Sequence, residues 1–372
     1  MNNNDNKTTP AAAGYRMPGE FEPHDSCWML WPQRGDVWRH GAKPAQQAFV
    51  EIATAISRSE TVYVGVDDGQ YENARTMLPE HIRVVEISSN DAWMRDMGPT
   101  FVIDNKGNRA AVDWIFNAWG GLDGGLYFPW DKDDRVARKV CELSDTTRFR
   151  APLVLEGGAI HVDGEGTLIT TEECLLNPNR NPDLSREQIE QYLSDYLSVS
   201  KVIWLPLGTF NDETNGHVDN ICCYIRPGVV ALHWCDDPQD PQYAISRQAM
   251  EVLQTSKDAQ GRTLEVIKLP QPGPLYIAED EADGIDLAEG SHPRHTGERM
   301  AGSYINFYIG NSVVVYPQLD PTYDSAIAEL LAQQFPDREI IGIQAREILL
   351  GGGNIHCITQ QQPARQDLSD VS

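Results

Sequence analysis

The sequence contains no apolar run near the roughly 18 residues that a membrane-spanning helix needs. Its first ten residues, Met1 to Pro10, are polar and Asn-rich and lack the basic-then-apolar pattern of a secretory signal. We therefore expect a globular protein that neither spans nor enters a membrane. Residues 1–13 and 361–372 are predicted to be a disordered N-terminal segment and a flexible tail around one catalytic domain, residues 14–360.

No Cys-x-x-Cys pair occurs, although there are seven cysteines. An odd number at scattered positions fits neither a disulfide framework nor a zinc site, so reduced thiols and a cytoplasmic location are expected. No third histidine has suitable spacing for a metal site, and no metal is expected. The cysteines are Cys27, Cys141, Cys174, Cys222, Cys223, Cys235 and Cys357.

Basic patches are also missing, and the formal net charge is -25. This charge makes a nucleic acid an unlikely partner, since such partners are bound through clusters of Lys and Arg. An acidic surface suits a small cationic ligand and gives weak support for one.

What the chain does contain is a recurring order of helix, strand, polar segment and hairpin. Five such units can be distinguished, and the first three polar segments, at Asp96, Glu156 and His217, are spaced by 60 and 61 residues. The other two segments lie near Tyr304 and at Cys357. Repetition at a fixed period predicts an α/β protein built radially from like units rather than two unrelated domains. In a ring of such units, the polar segments meet near the axis.

A long insert rich in Glu, Asp, Gly and Pro, residues 270–300, interrupts the fourth unit. Loops of this length are typically functional lids or disordered segments. The sequence leaves these two alternatives open.

Three glycines, Gly351 to Gly353, shortly precede Cys357. Ordering glycine costs more backbone entropy than ordering other residues, so such a run is expected where another group must approach the backbone closely. A cysteine on such a loop is a candidate nucleophile, and it needs a base or a cationic neighbour to become a thiolate. His217 can serve as that base and proton shuttle, and Glu156 can hold its imidazole. The structural alternative is a buried cysteine after a turn.

Two further carboxylates, Asp96 and Asp219, are expected beside this thiol. Carboxylates oppose a developing oxyanion, but they match the paired N–H donors of a guanidinium. The pattern therefore favours a guanidinium substrate. Three structural alternatives remain open: an ion pair of Asp96 with Arg95, a turn position for Glu156, and a structural pairing of His217 with Asp219.

Four longer motifs make the chain resemble the agmatine deiminases of the guanidine-modifying, or pentein, superfamily. The resemblance covers nearly the whole chain. The motifs are Trp93-Met94-Arg95-Asp96, Leu155-Glu156-Gly157-Gly158, Asn211 to Asn220, and Gly351-Gly352-Gly353-Asn354-Ile355-His356-Cys357 with the following Ile358 to Gln361.

The resemblance implies a five-bladed α/β propeller and a hydrolase that converts agmatine to N-carbamoylputrescine and ammonia in polyamine metabolism, without a metal or organic cofactor. It implies Cys357 as nucleophile and His217 as general acid and base, with a covalent amidino-cysteine intermediate. Asp96 and Asp219 would hold the guanidinium, and Glu156 would support the site. A homo-oligomer is also expected.

The far end of the substrate is less well defined. By resemblance, Glu213 would contact the distal amine. Trp93 and Trp119 would flank the alkyl chain or belong to the core.

Three other functions remain: deimination of free or peptidyl arginine, polyamine binding without catalysis, and papain-like hydrolysis. The negative charge of Glu213 opposes the α-carboxylate of free arginine. A binder needs no nucleophile, and the carboxylates around the thiol disfavour the papain-like reaction.

Overall fold

Strands and helices alternate along residues 8–365, the part of the chain that the computed structural model describes. The strands, numbered in chain order, are β1 (Tyr15–Arg16), β2 (His24–Leu30), β3 (Thr61–Val66), β4 (Arg83–Glu86), β5 (Thr100–Asp104), β6 (Arg109–Ile115), β7 (Thr147–Val154), β8 (His161–Val162), β9 (Thr167–Thr171), β10 (Lys201–Leu205), β11 (Cys222–Arg226), β12 (Val229–Trp234), β13 (Glu265–Pro270), β14 (Tyr308–Ile309), β15 (Val313–Gln318), β16 (Glu339–Gln344) and β17 (Gln360–Pro363).

The α-helices are α1 (Lys43–Ile56), α2 (Tyr71–Met77), α3 (Met94–Met97), α4 (Val136–Leu143), α5 (Glu172–Leu175), α6 (Arg186–Leu197), α7 (Gln242–Thr255), α8 (Glu279–Ala282), α9 (Asp324–Gln334) and α10 (Arg346–Leu350). Short 3₁₀ turns lie at Ala11–Ala13, Asp68–Gln70, Asp133–Arg135, Gly157–Ala159 and Val218–Asn220.

The strands form five sheets, which confirms the predicted α/β class. In four sheets an antiparallel pair is followed by a helix and a parallel strand: β5–β6–α4–β7, β8–β9–α6–β10, β11–β12–α7–β13 and β14–β15–α9–β16. The fifth sheet joins the two ends of the described chain, because β17 pairs antiparallel with β2 and α1 then leads to the parallel β3. Strands β1 and β4 extend two of the sheets.

Local sequence explains the elements of each unit. All six residues of β12 are buried, as expected for an apolar strand covered on both faces. Helix α6 buries Ile189, Leu193 and Leu197, which recur every four residues on one face. The helices lie between sheets: α7 contacts β12 and β13 of its own unit and β10 of the preceding one, and α9 contacts β16 of its own unit and β13 of the preceding one. The polar turns lie at the strand ends.

Those turns meet between the units. Helix α3 contacts the turn Gly157–Ala159, which in turn contacts Val218–Asn220. The predicted polar segments of the first three units are thus neighbours in space.

The predicted domain ends need correction. The tail expected from residue 361 contains most of β17, whose backbone pairs with β2 and whose three glutamines are buried. In the predicted N-terminal segment, Ala11–Ala13 forms a 3₁₀ turn. Residues 1–7 and 366–372 lie outside the described residues.

The insert of residues 270–300 contains the short helix α8 and an isolated bridge between Tyr276 and Arg299. Among the helices of residues 8–365, none has the length and apolar character needed to cross a bilayer.

Helix α6 offers a test of these assignments. The Ser185 side chain accepts a hydrogen bond from Gln188 N, and the Gln188 side chain accepts one from Ser185 N. We expect Ser185→Ala to lower the free energy of unfolding by about 1 kcal/mol, because an orphan N–H at the helix start loses its acceptor. Urea denaturation measures this change. Ser194→Ala, inside the same helix, should leave stability unchanged or slightly raised; equal losses would contradict the cap.

Candidate active site

All five predicted catalytic side chains lie in one buried cluster. The His217 Nδ1 atom is 3.8 Å from Asp96 Oδ2, and its Nε2 atom is 3.5 Å from Glu156 Oε2. The Cys357 Sγ atom lies 3.6 Å from Asp219 Oδ2. Residues from units far apart in sequence therefore converge, as the repeat predicts.

Two glycines make this crowding possible. A Cβ atom on Gly158 would lie 2.5 Å from His217 Nδ1 and 2.8 Å from Asp96 Oδ1. A Cβ atom on Gly353 would lie 2.6 Å from the Trp93 ring and 3.1 Å from Cys357 Sγ. The glycines thus make room for the side chains of the site itself.

Glu156 forms a buried ion pair that the sequence analysis missed. Its Oε1 atom accepts a hydrogen bond of 2.7 Å from Arg180 Nε, and both side chains are fully buried. The Arg180 guanidinium also donates to the backbone oxygens of Trp119 and Thr214. Burial raises the pKa of Glu156, but Arg180 more than offsets this and the pKa falls below its ordinary value. Glu156 is therefore a carboxylate. The available signal was an arginine between two Asn-Pro turns, residues 177–182.

His217 carries a proton before any ligand enters. Burial lowers its pKa, but the carboxylates of Asp96 and Glu156 raise the pKa well above the ordinary value. An imidazolium is a proton donor, the state that general-acid catalysis requires.

Asp96 accepts hydrogen bonds of 2.9 Å from Gly158 N and from Trp119 Nε1. Burial raises the pKa of Asp96 to about 6, against the lowering effect of His217. Asp96 is therefore sensitive to any cation that enters the site.

Cys357 is 6% exposed and accepts a hydrogen bond of 3.1 Å from Asn306 Nδ2. Burial, Asp219 and Asp96 raise the pKa of Cys357 well above its ordinary value, so the residue is a thiol without ligand. Asn306 also accepts from His356 N at 2.9 Å. It is the contribution of the fourth unit, near the polar segment predicted around Tyr304, and was not identified from sequence.

Asp219 is ionised and contacts a second histidine, His356. Its Oδ2 atom lies 2.8 Å from His356 Nδ1. Burial raises the pKa of Asp219, but the His356 contact more than offsets it and the pKa is lowered.

A pocket leads from this cluster to the surface, and Trp93 and Trp119 both line it although they are buried. Their indole nitrogens are fixed by Asp91 Oδ2 and Asp96 Oδ2, each at 2.9 Å. The two rings meet edge to face at 6.5 Å. They are buried core aromatics that also line the pocket, and contact with the alkyl chain of a ligand stays a prediction.

The insert supplies another wall, through Ser291, His292 and Arg294. The Arg294 Nη2 atom donates to Glu213 Oε2 at 2.9 Å and to Gly351 O at 2.7 Å. Glu213 is therefore neutralised by Arg294, which stands in the pocket wall. The sequence analysis missed this pair.

Two buried groups in the described residues have metal-ligand composition. In Glu156, Cys174 and His217, the carboxylate already pairs with Arg180, whose charge opposes a cation. In Glu20, His161 and His356, the His161 Nδ1 atom accepts from Tyr224 N at 3.2 Å, so its other nitrogen keeps a proton and faces Glu20. Neither donor set is suited to a metal ion.

The family model of the Porphyromonas-type peptidyl-arginine deiminases matches residues 16–363. Agmatine deiminase of Pseudomonas aeruginosa (strain LESB58) is 59% identical over 359 residues, 96% of this chain and 98% of that one. The structure of agmatine deiminase of Enterococcus faecalis superimposes with a TM-score of 0.95 at 49% identity, covering 97% of this chain and 99% of that one.

The chain belongs to the Porphyromonas-type peptidyl-arginine deiminase family and, within it, to the agmatine deiminases.

Agreement with the family extends to more distant members. A cysteine-to-serine variant of agmatine deiminase from C. jejuni, solved with substrate bound, has a TM-score of 0.82 at 26% identity and covers 95% of this chain and 97% of that one. The five-sheet fold is therefore that of the family.

The Arg180–Glu156 pair should be far more important for stability than a surface pair. We expect Arg180→Gln to cost about 3 to 5 kcal/mol, because the buried Glu156 carboxylate loses its charged hydrogen-bond donor at Oε1. Arg138→Gln, which breaks an exposed pair with Glu142, should cost less than about 1 kcal/mol. Urea denaturation of both variants measures the difference, and similar losses would refute the assignment.

Proposed function

We propose that the protein hydrolyses agmatine to N-carbamoylputrescine and ammonia through a covalent amidino-cysteine at Cys357. The observation that carries the proposal is a buried thiol beside an imidazolium and three carboxylates, in a chain 59% identical to an agmatine deiminase. The carboxylates supply the counter-charges that a planar guanidinium needs.

Substrate binding prepares the nucleophile. The guanidinium lies between Asp96 and Asp219, with the alkyl chain against Trp93 and Trp119. Its positive charge lowers the pKa of the neighbouring thiol, which releases its proton to solvent through the pocket. The Cys357 thiolate then attacks the guanidinium carbon.

His217 acts first as acid and then as base. The imidazolium protonates one nitrogen of the tetrahedral adduct, the C–N bond breaks and ammonia leaves, which produces an S-alkylthiouronium cation. Neutral His217 then takes a proton from water as the water oxygen bonds to carbon. The C–S bond breaks, and the hydroxyl proton of the adduct returns to the thiolate as the product carbonyl forms. Glu156 stabilises the imidazolium form of His217, which is present at the start and is restored when His217 takes the proton from water.

At the distal amine, Glu213 is our proposed partner. In the ligand-free arrangement Arg294 holds this carboxylate, so the ammonium of agmatine must replace the Arg294 guanidinium. The insert then acts as a gate, because its Arg294 side chain leaves Glu213 when the substrate amine binds there.

Several broader features extend this proposal. The chain forms five sheets, and one of them combines strands from both ends of the described chain through the pairing of β17 with β2. This arrangement supports a five-bladed propeller. Seven buried free cysteines support a cytoplasmic location. A role in putrescine and polyamine metabolism follows from the proposed product, and homo-oligomerisation remains a prediction for light scattering.

Arginine is the competing substrate, because Arg294 places a cation in the pocket wall. Its guanidinium is already bound by Glu213 and Gly351 O, which leaves a neutral pair rather than a carboxylate site. Ammonia release measured side by side on agmatine and arginine should favour agmatine strongly.

Cys357→Ala should abolish ammonia release, because no other residue described in the pocket lining carries a thiol that can bond to the guanidinium carbon. Calorimetry should show that the variant still binds agmatine. Mass spectrometry of wild-type protein quenched during turnover should show an amidino-type adduct on Cys357. Cys141→Ala is the matched control, because it removes a buried thiol of α4 that does not line the pocket and should remain active. Turnover by the Cys357 variant would refute the mechanism.

The distal site is tested with agmatine and butylguanidine, which lacks the amine. Glu213→Gln should raise KM for agmatine about tenfold or more, since a charged hydrogen bond contributes about 1.5 to 3 kcal/mol, and should affect butylguanidine little. Arg294→Gln should lower KM for agmatine, because the competing cation is gone. Equal effects of Glu213→Gln on both compounds would show that Glu213 does not hold the amine.

A further inference from the structure

Behind Asp219 lies a buried chain of charged groups that the proposed reaction does not use. The His356 Nδ1 atom is 2.8 Å from Asp219 Oδ2, and its Nε2 atom is 2.8 Å from Glu20 Oε2. The three side chains are at most 4% exposed. His356 therefore links the residue beside the nucleophile to a carboxylate from the N-terminal part of the chain.

The charge of His356 follows from this geometry. A carboxylate only accepts hydrogen bonds, so a ring nitrogen at 2.8 Å from one must donate. Both ring nitrogens face carboxylates, and an imidazole with two donors is the imidazolium. Burial lowers the pKa of His356 and Arg95 lowers it further, but Glu20 and Asp219 more than offset both, and the pKa is raised.

The groups around His356 are consistent with a fixed cation. Glu20 and Asp219 face it with negative charge, and Arg95 lies 3.9 Å from Glu20. The His161 ring stacks on His356 at 5.9 Å and is neutral, because burial lowers the pKa of His161 to about 4. Two carboxylates are thus balanced by His356 and Arg95.

This cation is connected to the nucleophile in two ways. Along the backbone, His356 precedes Cys357, and His356 N donates to the same Asn306 whose side chain contacts the Cys357 sulfur. Through its side chain it binds the Oδ2 atom of Asp219. Within residues 8–365, no group hydrogen-bonds to the buried Oδ1 atom of Asp219. His356 therefore binds the same Asp219 oxygen that lies 3.6 Å from the Cys357 sulfur.

We propose that His356 is a positioning residue for the proposed deimination: a permanent imidazolium that keeps Asp219 ionised and holds its Oδ2 atom beside the Cys357 sulfur. It rests on the proposed function, because the cation that Asp219 would bind is the substrate guanidinium. His356 itself forms no bond to substrate. Its effect passes through Asp219, which is also faced by His217, Arg95 and Cys357.

A purely structural role for His356 predicts a different result. Loss of a packing residue lowers stability and activity without changing the pH dependence of kcat/KM. Loss of a charge beside Asp219 raises the pKa of Asp219, so this carboxylate becomes protonated at higher pH and the acid limb of kcat/KM moves upward.

The first test reads the charge directly. Protein labelled with ¹³C at histidine Cε1 should give a His356 signal of imidazolium type at pH 8, where an ordinary histidine is neutral. Glu20→Gln removes one of the two carboxylates and should lower the pH at which this signal titrates. A neutral His356 at pH 7 would overturn the proposal, whether or not agmatine is a substrate.

The second test reads the effect on catalysis. His356→Gln should lower kcat/KM for agmatine about tenfold to a hundredfold, the usual cost of losing a partner behind a site residue, and should move its acid limb to higher pH. The control is His233→Gln, which replaces a buried histidine that contacts Ser303 instead of a carboxylate. The control should keep the wild-type pH profile.

Each outcome separates the two proposals. An unchanged pH profile in folded His356→Gln protein would reject the positioning role and leave the deiminase assignment intact. Wild-type protein that does not release ammonia from agmatine would reject the deiminase assignment, while the ¹³C signal would still decide the charge of His356. If His356→Gln fails to fold, the titration in Glu20→Gln decides instead.

Discussion

Buried charge is the constraint on which the rest of this site depends. An ion removed from water is tolerated only when it is paired and hydrogen-bonded. Around Cys357 the fold buries four carboxylates together with four cationic groups. The carboxylates are Asp96, Glu156, Asp219 and Glu20, and the cations are Arg180, His217, His356 and Arg95. The ligand-free site is thus close to neutral with Cys357 as a thiol.

That balance explains when the nucleophile forms. A thiolate beside Asp219 and Asp96 would add negative charge to a neutral, low-dielectric region, and the pKa of Cys357 is accordingly high. A guanidinium adds one positive charge, and ionisation of the thiol then restores neutrality. The proposed enzyme therefore becomes reactive only when its substrate is bound, which protects a buried cysteine from oxidants and other electrophiles.

The periodicity of the sequence was sufficient to predict the α/β class and the meeting of Asp96, Glu156, His217 and Cys357, because like units place like segments together. It was insufficient for the partners of these groups. Arg180 and Glu20 reach the site across unit boundaries, and such contacts depend on three-dimensional register rather than on local pattern. Asn306 lies in the fourth polar segment, near Tyr304, and only its contact with Cys357 was not predicted. The resemblance predicts that Glu213 contacts the distal amine. The pairing of Glu213 with Arg294 could not be predicted, because the insert that carries Arg294 has no counterpart in the other units.

The error at the C-terminal end has a physical cause as well. Three consecutive glutamines, Gln360 to Gln362, have the composition of a solvated tail. In the fold their backbone pairs with β2, and their side-chain amides meet buried partners: Gln361 accepts from Arg95 at 2.6 Å and Gln362 from Trp28 at 2.6 Å. Composition alone cannot distinguish a solvated polar segment from one whose polar side chains form buried hydrogen bonds.

The same pairing connects the two ends of the described chain to catalysis. The loop that carries Cys357 lies directly before β17, and β17 is held by β2. Glu20, four residues before β2, bonds the ring of His356 beside the nucleophile. Contacts between residues so far apart in sequence require closure of a long loop, whose entropic cost must be met before the contact stabilises the fold. The position of the nucleophile therefore depends on the pairing of β17 with β2.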